Sequence, residues 1–296
     1  MIPLGRTALS YRRLEPCGQL RESTARCTNS DIHRTAGHPG EQGVSAAQRN
    51  RDRSVDHAGT SRQGGAKGTF GMLTNRLFPA CVRVAEMNPR EAEPSRLHPA
   101  ERRQIDRAAP ARQGEYSAGR LLARSLLDSL GAAPAPLLNG RDRAPAWPAG
   151  FVGSISHCST LCAVVVASSW DISAIGVDVE PAVALDADVE PLVLTARDRD
   201  SIAQLPLQIR TIGARLVFSA KEAFYKAVNP TTGVFLDFTQ AWVTFPTEQS
   251  FIVTTTAPLQ GSPALSSSMI GRYCIDGTHL TTGIFTRAHR SSAPHD

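Results

Sequence analysis

Two acids, a glutamate–lysine pair, and a histidine behind two hydroxyls are the residues of this chain whose types and spacing could do chemistry. The acids lie in Ile175-Gly176-Val177-Asp178-Val179-Glu180-Pro181. On a strand, residues two apart share a face, so Asp178 and Glu180 stand side by side while Val177 and Val179 turn into a core. Two carboxylates aimed at one spot repel unless a cation lies between them. Oxygen-only ligands suit Mg²⁺ or Mn²⁺ rather than zinc or copper. Alone, Asp178-Val179-Glu180 reads more readily as a solvated strand end carrying two surface acids.

The second segment is Phe218-Ser219-Ala220-Lys221-Glu222-Ala223-Phe224-Tyr225-Lys226-Ala227. On a helix Glu222 and Lys226 fall at i and i+4, on one face. An exposed pair of this kind is worth only a few tenths of a kcal/mol. The aromatic residues and alanines around this one mark a face that is not simply solvated. If Glu222 approaches Asp178 and Glu180, three carboxylates and a lysine converge, a set suited to phosphoryl chemistry. The third segment, Gly153-Ser154-Ile155-Ser156-His157, is a small-residue stretch whose backbone N–H groups could approach a phosphate. Taken alone it is weak, and a lone His157 is more often structural.

The elements that must position these residues can be read from periodicity. His98–Arg107 reads as a short polar helix and Arg112–Leu130 as a longer one, ended by Gly131 and Pro134. Ala132–Gly150 is a proline-rich connection. Phe151–His157, Leu161–Ser168 and Ala174–Glu180 read as strands, the second buried and β-branched. Pro191–Leu205 and Ile209–Val228 read as helices, the latter stopped by Asn229-Pro230. Four short strands follow, at Ala241–Phe245, Phe251–Thr255, Gly271–Ile275 and His279–Thr286. The mixture indicates α+β, or α/β with mixed sheets.

The chain has 296 residues, 41% hydrophobic and 20% charged, as in an ordinary globular protein. No apolar run is long enough to span a membrane. The first ten residues lack a secretory core, so the expected location is cytoplasmic. The net charge of +5 suits an acidic partner or a phosphate-bearing ligand and does not by itself indicate nucleic acid. Between Arg21 and Gln63 the only Val, Ile or Leu residues are Ile32, Val44 and Val55. Residues 1–71 are therefore expected to be a disordered extension, unless the working protein starts at Met72. Cys158 and Cys162 lack the partners of a zinc site and read as small buried or semi-buried thiols.

The three segments, in this order, resemble the 4'-phosphopantetheinyl transferase superfamily, in its monomeric surfactin-synthetase-activating class and closest to the enterobactin synthetase component D type. Leu97-His98-Pro99, the stretch Arg112–Arg120, Trp147-Pro148-Ala149-Gly150 and Phe235-Leu236-Asp237-Phe238 share the likeness, which covers about Met72 to Thr286. The resemblance implies two similar α/β halves packed as a pseudo-dimer, here about 72–180 and 181–290. It implies transfer of phosphopantetheine from coenzyme A to a serine of an apo carrier protein, releasing 3',5'-adenosine bisphosphate. Asp178, Glu180 and Glu222 would surround Mg²⁺, with Mn²⁺ as an alternative, and Glu222 would deprotonate the serine. Lys226 would neutralise the phosphate in transfer. Arg112, Arg120 and His157 would hold the adenosine end, with Lys221 and Ser156 as further phosphate contacts. Related enzymes carry a lysine before the Trp-Pro pair where this chain has Asp142, so Arg141 or Arg143 would substitute. A monomer without nucleic-acid or membrane partners is implied.

Two rivals remain at this point. Some metal-dependent nucleases or phosphodiesterases combine Asp-x-Glu with a nearby Glu and Lys, although here the lysine follows its glutamate at helical spacing and the basic residues are dispersed. An inactive coenzyme A-binding protein needs no base, so the full acid set argues against it.

Overall fold

The computed structural model describes residues 73–140, 144–233, 236–256 and 267–289. All belong to one structural unit, Gly64–Asp296. The extension 1–71 and the Arg141-Asp142-Arg143 loop lie outside the described residues. The elements run β1 (Arg83–Met87), α1 (Pro99–Arg103), α2 (Pro110–Ser129), β2 (Phe151–His157), β3 (Cys162–Ser168) and β4 (Ile172–Pro181). They continue through α3 (Glu190–Val193), α4 (Ala196–Ala203), α5 (Leu207–Arg210), α6 (Gly213–Thr232), β5 (Ala241–Thr247), β6 (Ser250–Thr255), β7 (Ser268–Ile275) and β8 (His279–Arg287). The fold is α+β. One antiparallel sheet has the order β1-β3-β2 and the other β4-β8-β7-β6-β5. Each is covered by one helix of 20 residues, α2 or α6.

Period-two alternation in β3 explains the layering. Cys162, Val164 and Val166 pack with Ala118, Ala123, Leu126 and Leu127 of α2. The intervening Ala163, Val165 and Ala167 pack with Ile175, Val177 and Val179 of β4. Val177 and Val179 are fully buried, as the alternation in the acid segment predicts. The opposite face of the five-stranded sheet receives Leu216, Val217, Ala220, Ala223 and Phe224 of α6. The division expected at 180/181 falls at the end of β4, whose backbone partner is the distant β8.

Three sequence expectations need correction. The helical stretch 191–205 breaks into α3 and α4, because Thr195 caps α4 through a reciprocal box with Asp198. The long helix starts at Gly213 after the separate turn α5. It also runs through Pro230 to Thr232, where Gly233 takes a left-handed φ of 63°. Proline in a last turn removes one N–H only. The Asn229 carbonyl is satisfied by the Gly233 N–H at 2.8 Å, and the Val228 carbonyl by the Thr232 hydroxyl at 2.9 Å. β1 was not anticipated, since Arg83 and Glu86 interrupt its apolar pattern.

The fit of α6 on β4 depends on Gly176. A Cβ there would lie 1.8 Å from the Ala223 carbonyl oxygen, so any side chain forces helix and strand apart. Gly176→Ala is expected to destabilise the fold by about 2–3 kcal/mol, as overpacking does, read as a lower urea midpoint with an unchanged slope.

Candidate active site

β4 ends the five-stranded sheet, so its outer N–H groups need partners other than a backbone ladder. The serines of β2 supply them. The Val177 N–H donates to Ser154 Oγ at 3.1 Å and the Val179 N–H to Ser156 Oγ at 3.2 Å. The two sheets are thus joined through alternate hydroxyls, which is what Ser-Ile-Ser is for. Ser156 Oγ also donates to Asp178 Oδ1 at 2.8 Å and accepts from Lys226 Nζ at 2.9 Å. One donor and two acceptor sites exhaust a hydroxyl. The expected phosphate contact from Ser156 is therefore corrected: it is a buried joint between strand, acid and lysine.

Asp178 is 3% exposed and Lys226 Nζ lies 2.5 Å from its Oδ1. Burial works against the Lys226 ammonium, but Asp178 first, then Glu222 and Glu180, outweigh it and hold its pKa above the ordinary lysine value. Among the described residues Asp178 Oδ2 has no hydrogen-bond partner, and it is buried. Glu180, on the same strand face, is pushed well above the usual carboxylate range by burial and by Asp178, against the pull of Arg215. Arg215 Nη1 donates to Glu180 Oε2 at 2.9 Å. The sequence reading missed Arg215, although it stands seven residues before Glu222, two turns back along one helix face.

Among the described residues no group of three or more His, Cys, Asp or Glu is placed to hold a metal ion. The expectation that Asp178, Glu180 and Glu222 together surround one ion is therefore not met in this geometry. The Lys226 ammonium stands beside Asp178 Oδ1 instead. Asp178 and Glu180 nonetheless fit a hard cation. Each uses one oxygen on a basic side chain, and Asp178 Oδ2 is a buried lone acceptor. Glu222, 8% exposed and one helical turn from Lys226, is the acid nearest in sequence to that lysine.

A second cluster forms where α2 begins and β2 ends. Arg112 Nη1 lies 3.1 Å from His157 Nε2, and Glu115 Oε2 lies 3.4 Å from Arg112 and 3.8 Å from His157 Nδ1. Arg112 and His157 are thus brought together, half-buried and open to solvent. Two other expected phosphate contacts are placed elsewhere. Arg120 is buried, donates to the Leu137 carbonyl at 2.7 Å and to Asn139 Oδ1, and stacks on Tyr116. Lys221 is buried with all three ammonium protons taken by Asp198 Oδ2 (2.7 Å) and the Val193 and Phe238 carbonyls (2.8 and 2.9 Å). Burial pushes the Lys221 pKa down, opposed by Asp198. Both residues brace the fold. Cys162 is buried and its thiol pushed up to about 12, as expected of an inert cysteine.

Residues 100–167 match the family model described as the 4'-phosphopantetheinyl transferase N-terminal domain, and 174–276 match that of the 4'-phosphopantetheinyl transferase superfamily. The chain is 33% identical over 220 residues to 4'-phosphopantetheinyl transferase PptT of Mycobacterium tuberculosis, covering 72% of this chain and 89% of that one. The chain belongs to the 4'-phosphopantetheinyl transferase superfamily. It is also 40% identical over 148 residues to 4'-phosphopantetheinyl transferase Svp of Streptomyces mobaraensis, covering 50% of this chain and 60% of that relative. Enterobactin synthase component D of Salmonella typhimurium is 35% identical over 124 residues, 41% of this chain and half of that one. The chain thus spans only part of the length of these last two. The transferase family uses coenzyme A as its substrate. Membership also displaces the nuclease reading. The two family models meet between β3 and β4, the seam stitched by Ser154 and Ser156.

Proposed function

We propose that this chain transfers the phosphopantetheine arm of coenzyme A to a serine of an apo carrier protein, with Mg²⁺ as the working ion. The observation that carries the reading is Asp178: buried at a seam, bound on one oxygen by Lys226 and Ser156, and orphaned on the other. A buried acid with a lone acceptor is costly unless a cation satisfies it. Asp178 Oδ2 and Glu180 would hold the ion, which would offset charge on the diphosphate oxygens.

The remaining roles belong to the chain's own residues. Lys226 offsets negative charge where the phosphoryl group is attacked, and its proton stays on nitrogen because three acids surround it. Glu222 takes the serine proton, directly or through water. Arg112 and His157 hold the adenosine end with its 3'-phosphate. In this reading coenzyme A crosses the end of β2, from the Arg112–His157 cluster on one face to Asp178 on the other. The enzyme acts in the cytoplasm, where coenzyme A is, and as a monomer. Among the described residues no helix is long and apolar enough to cross a membrane.

The test is incubation with coenzyme A, Mg²⁺ and a panel of apo carrier proteins, read by intact mass. A mass gain of one phosphopantetheine on a carrier is expected, and chelation of the metal should abolish it. No adduct on any carrier would sink the reading. Glu222→Gln should keep coenzyme A binding yet slow transfer about a hundredfold or more, the usual size of a lost general base. An unchanged rate would remove Glu222 from that role.

A further inference from the structure

Arg215 is the one basic side chain in contact with Glu180 among the described residues, and its contacts extend past that acid. Nη1 donates to Glu180 Oε2 at 2.9 Å, Nη2 to the Ala184 carbonyl at 3.0 Å, and Nε to the Val183 carbonyl at 3.4 Å. The guanidinium thus fastens one carboxylate oxygen and two consecutive carbonyls of the segment leaving β4. Its side chain is 15% exposed, and Glu180's is 20% exposed. Glu180 directly precedes Pro181, the last residue of β4, so it stands where the strand gives way to irregular chain. Lys226 holds the other acid from the far end of the same helix face. The two acids are therefore gripped by two cations in matched fashion, each through a single oxygen.

We propose that Arg215 is a positioning residue for the divalent ion: by fixing Oε2 it orients the Glu180 carboxylate so that Oε1 is presented beside Asp178 Oδ2. This rests on the proposed transferase reading, in which these two acids hold Mg²⁺. The planar fork matters as much as the charge, because it binds the carboxylate and the loop carbonyls at once, which an ammonium cannot do. Groups that orient metal-binding side chains usually contribute about ten- to a hundredfold in metal affinity.

The experiment titrates Mn²⁺ into the coenzyme A-loaded protein, following free Mn²⁺ by electron paramagnetic resonance. Wild type, Arg215→Met and Arg215→Lys are compared. Mn²⁺ affinity is expected to fall about ten- to a hundredfold in Arg215→Met and less in Arg215→Lys, by analogy with other orienting groups. Coenzyme A affinity without metal should stay within about twofold, since Arg215 lies away from the Arg112–His157 cluster in this reading. In carrier loading, excess Mn²⁺ should recover the rate of Arg215→Lys. An unchanged Mn²⁺ affinity in Arg215→Lys, whatever happens to thermal stability, overturns the proposal and leaves Arg215 as a loop brace. Tighter Mn²⁺ binding overturns it too, by showing that Arg215 competes with the ion. Should Arg215→Met not fold, Arg215→Lys decides by the same titration. If wild type itself neither binds Mn²⁺ nor loads a carrier, it is the transferase reading that fails.

Discussion

Lys226→Met should lower the rate constant for phosphopantetheine transfer by about a hundred- to a thousandfold, the loss found when a preorganised electrostatic donor is removed from a reacting centre. The side chain is matched in length, so packing of α6 on β4 should survive. What is lost is the ammonium that touches Asp178 Oδ1 and Ser156 Oγ. Asp178 is then left buried with the Ser156 hydroxyl as its remaining side-chain donor. An uncompensated buried acid attracts any cation that reaches it. The variant should therefore gain more thermal stability from added Mg²⁺ than the parent does, because a ligand stabilises by its affinity for the folded state. Two measurements check this: single-turnover loading of a carrier, and melting temperature against Mg²⁺ concentration. Full-rate transfer by Lys226→Met would reduce the lysine to a structural counterion.

Lys221→Met should cost about 3–5 kcal/mol of stability, the range for stranding one member of a buried ion pair. Lys221 and Asp198 side chains are 2% and 0% exposed and stand 2.7 Å apart. Asp198 also accepts from the Thr195 N–H and hydroxyl and from the Val243 N–H. One lysine thus ties α6 to α3, to α4 and to the turn before β5, through Val193, Asp198 and Phe238. Without it Asp198 keeps its backbone donors but loses its charge partner, and two carbonyls lose a donor. Urea unfolding measures the loss. Material that remains folded should still bind coenzyme A with near-parental affinity, which separates this lysine from its neighbour five residues on. Weakened coenzyme A binding in a fully folded variant would return Lys221 to the ligand.

How much of this was legible in the sequence differs from residue to residue. Asp178, Glu180, Glu222 and Lys226 could be placed because strand and helix periods fix which side chains share a face, and Val177 and Val179 are buried as that alternation requires. Arg112 and His157 came from the family likeness, and the structure sets them 3.1 Å apart. Ser156, Arg120 and Lys221 were misread for one common reason. Sequence shows that a side chain can donate to a phosphate, but not whether its protons are already taken by partners 17 to 28 residues or more away. Arg215 was overlooked because an isolated arginine on a helix is an ordinary surface residue until Glu180 is seen opposite it. The serines of β2 looked like a phosphate turn; that they close a sheet edge depends on which strand lies beside them, and no local pattern encodes that.

The acid strand pairs along its backbone with the last strand of the chain: Asp178 stands opposite Thr282 and Glu180 opposite Leu280. During synthesis, the three-stranded sheet can close once residue 168 has left the ribosome, its β2–β3 hairpin being local and its β1–β3 pairing joining the distant Arg83 and Val166. The acid strand then has the serine hydroxyls of β2 beside it but no backbone-ladder partner until β8, His279–Arg287, has emerged. A polypeptide that stops just before residue 279 therefore carries Asp178, Glu180, Glu222 and Lys226 but lacks the strand that completes the ladder beside the two β4 acids.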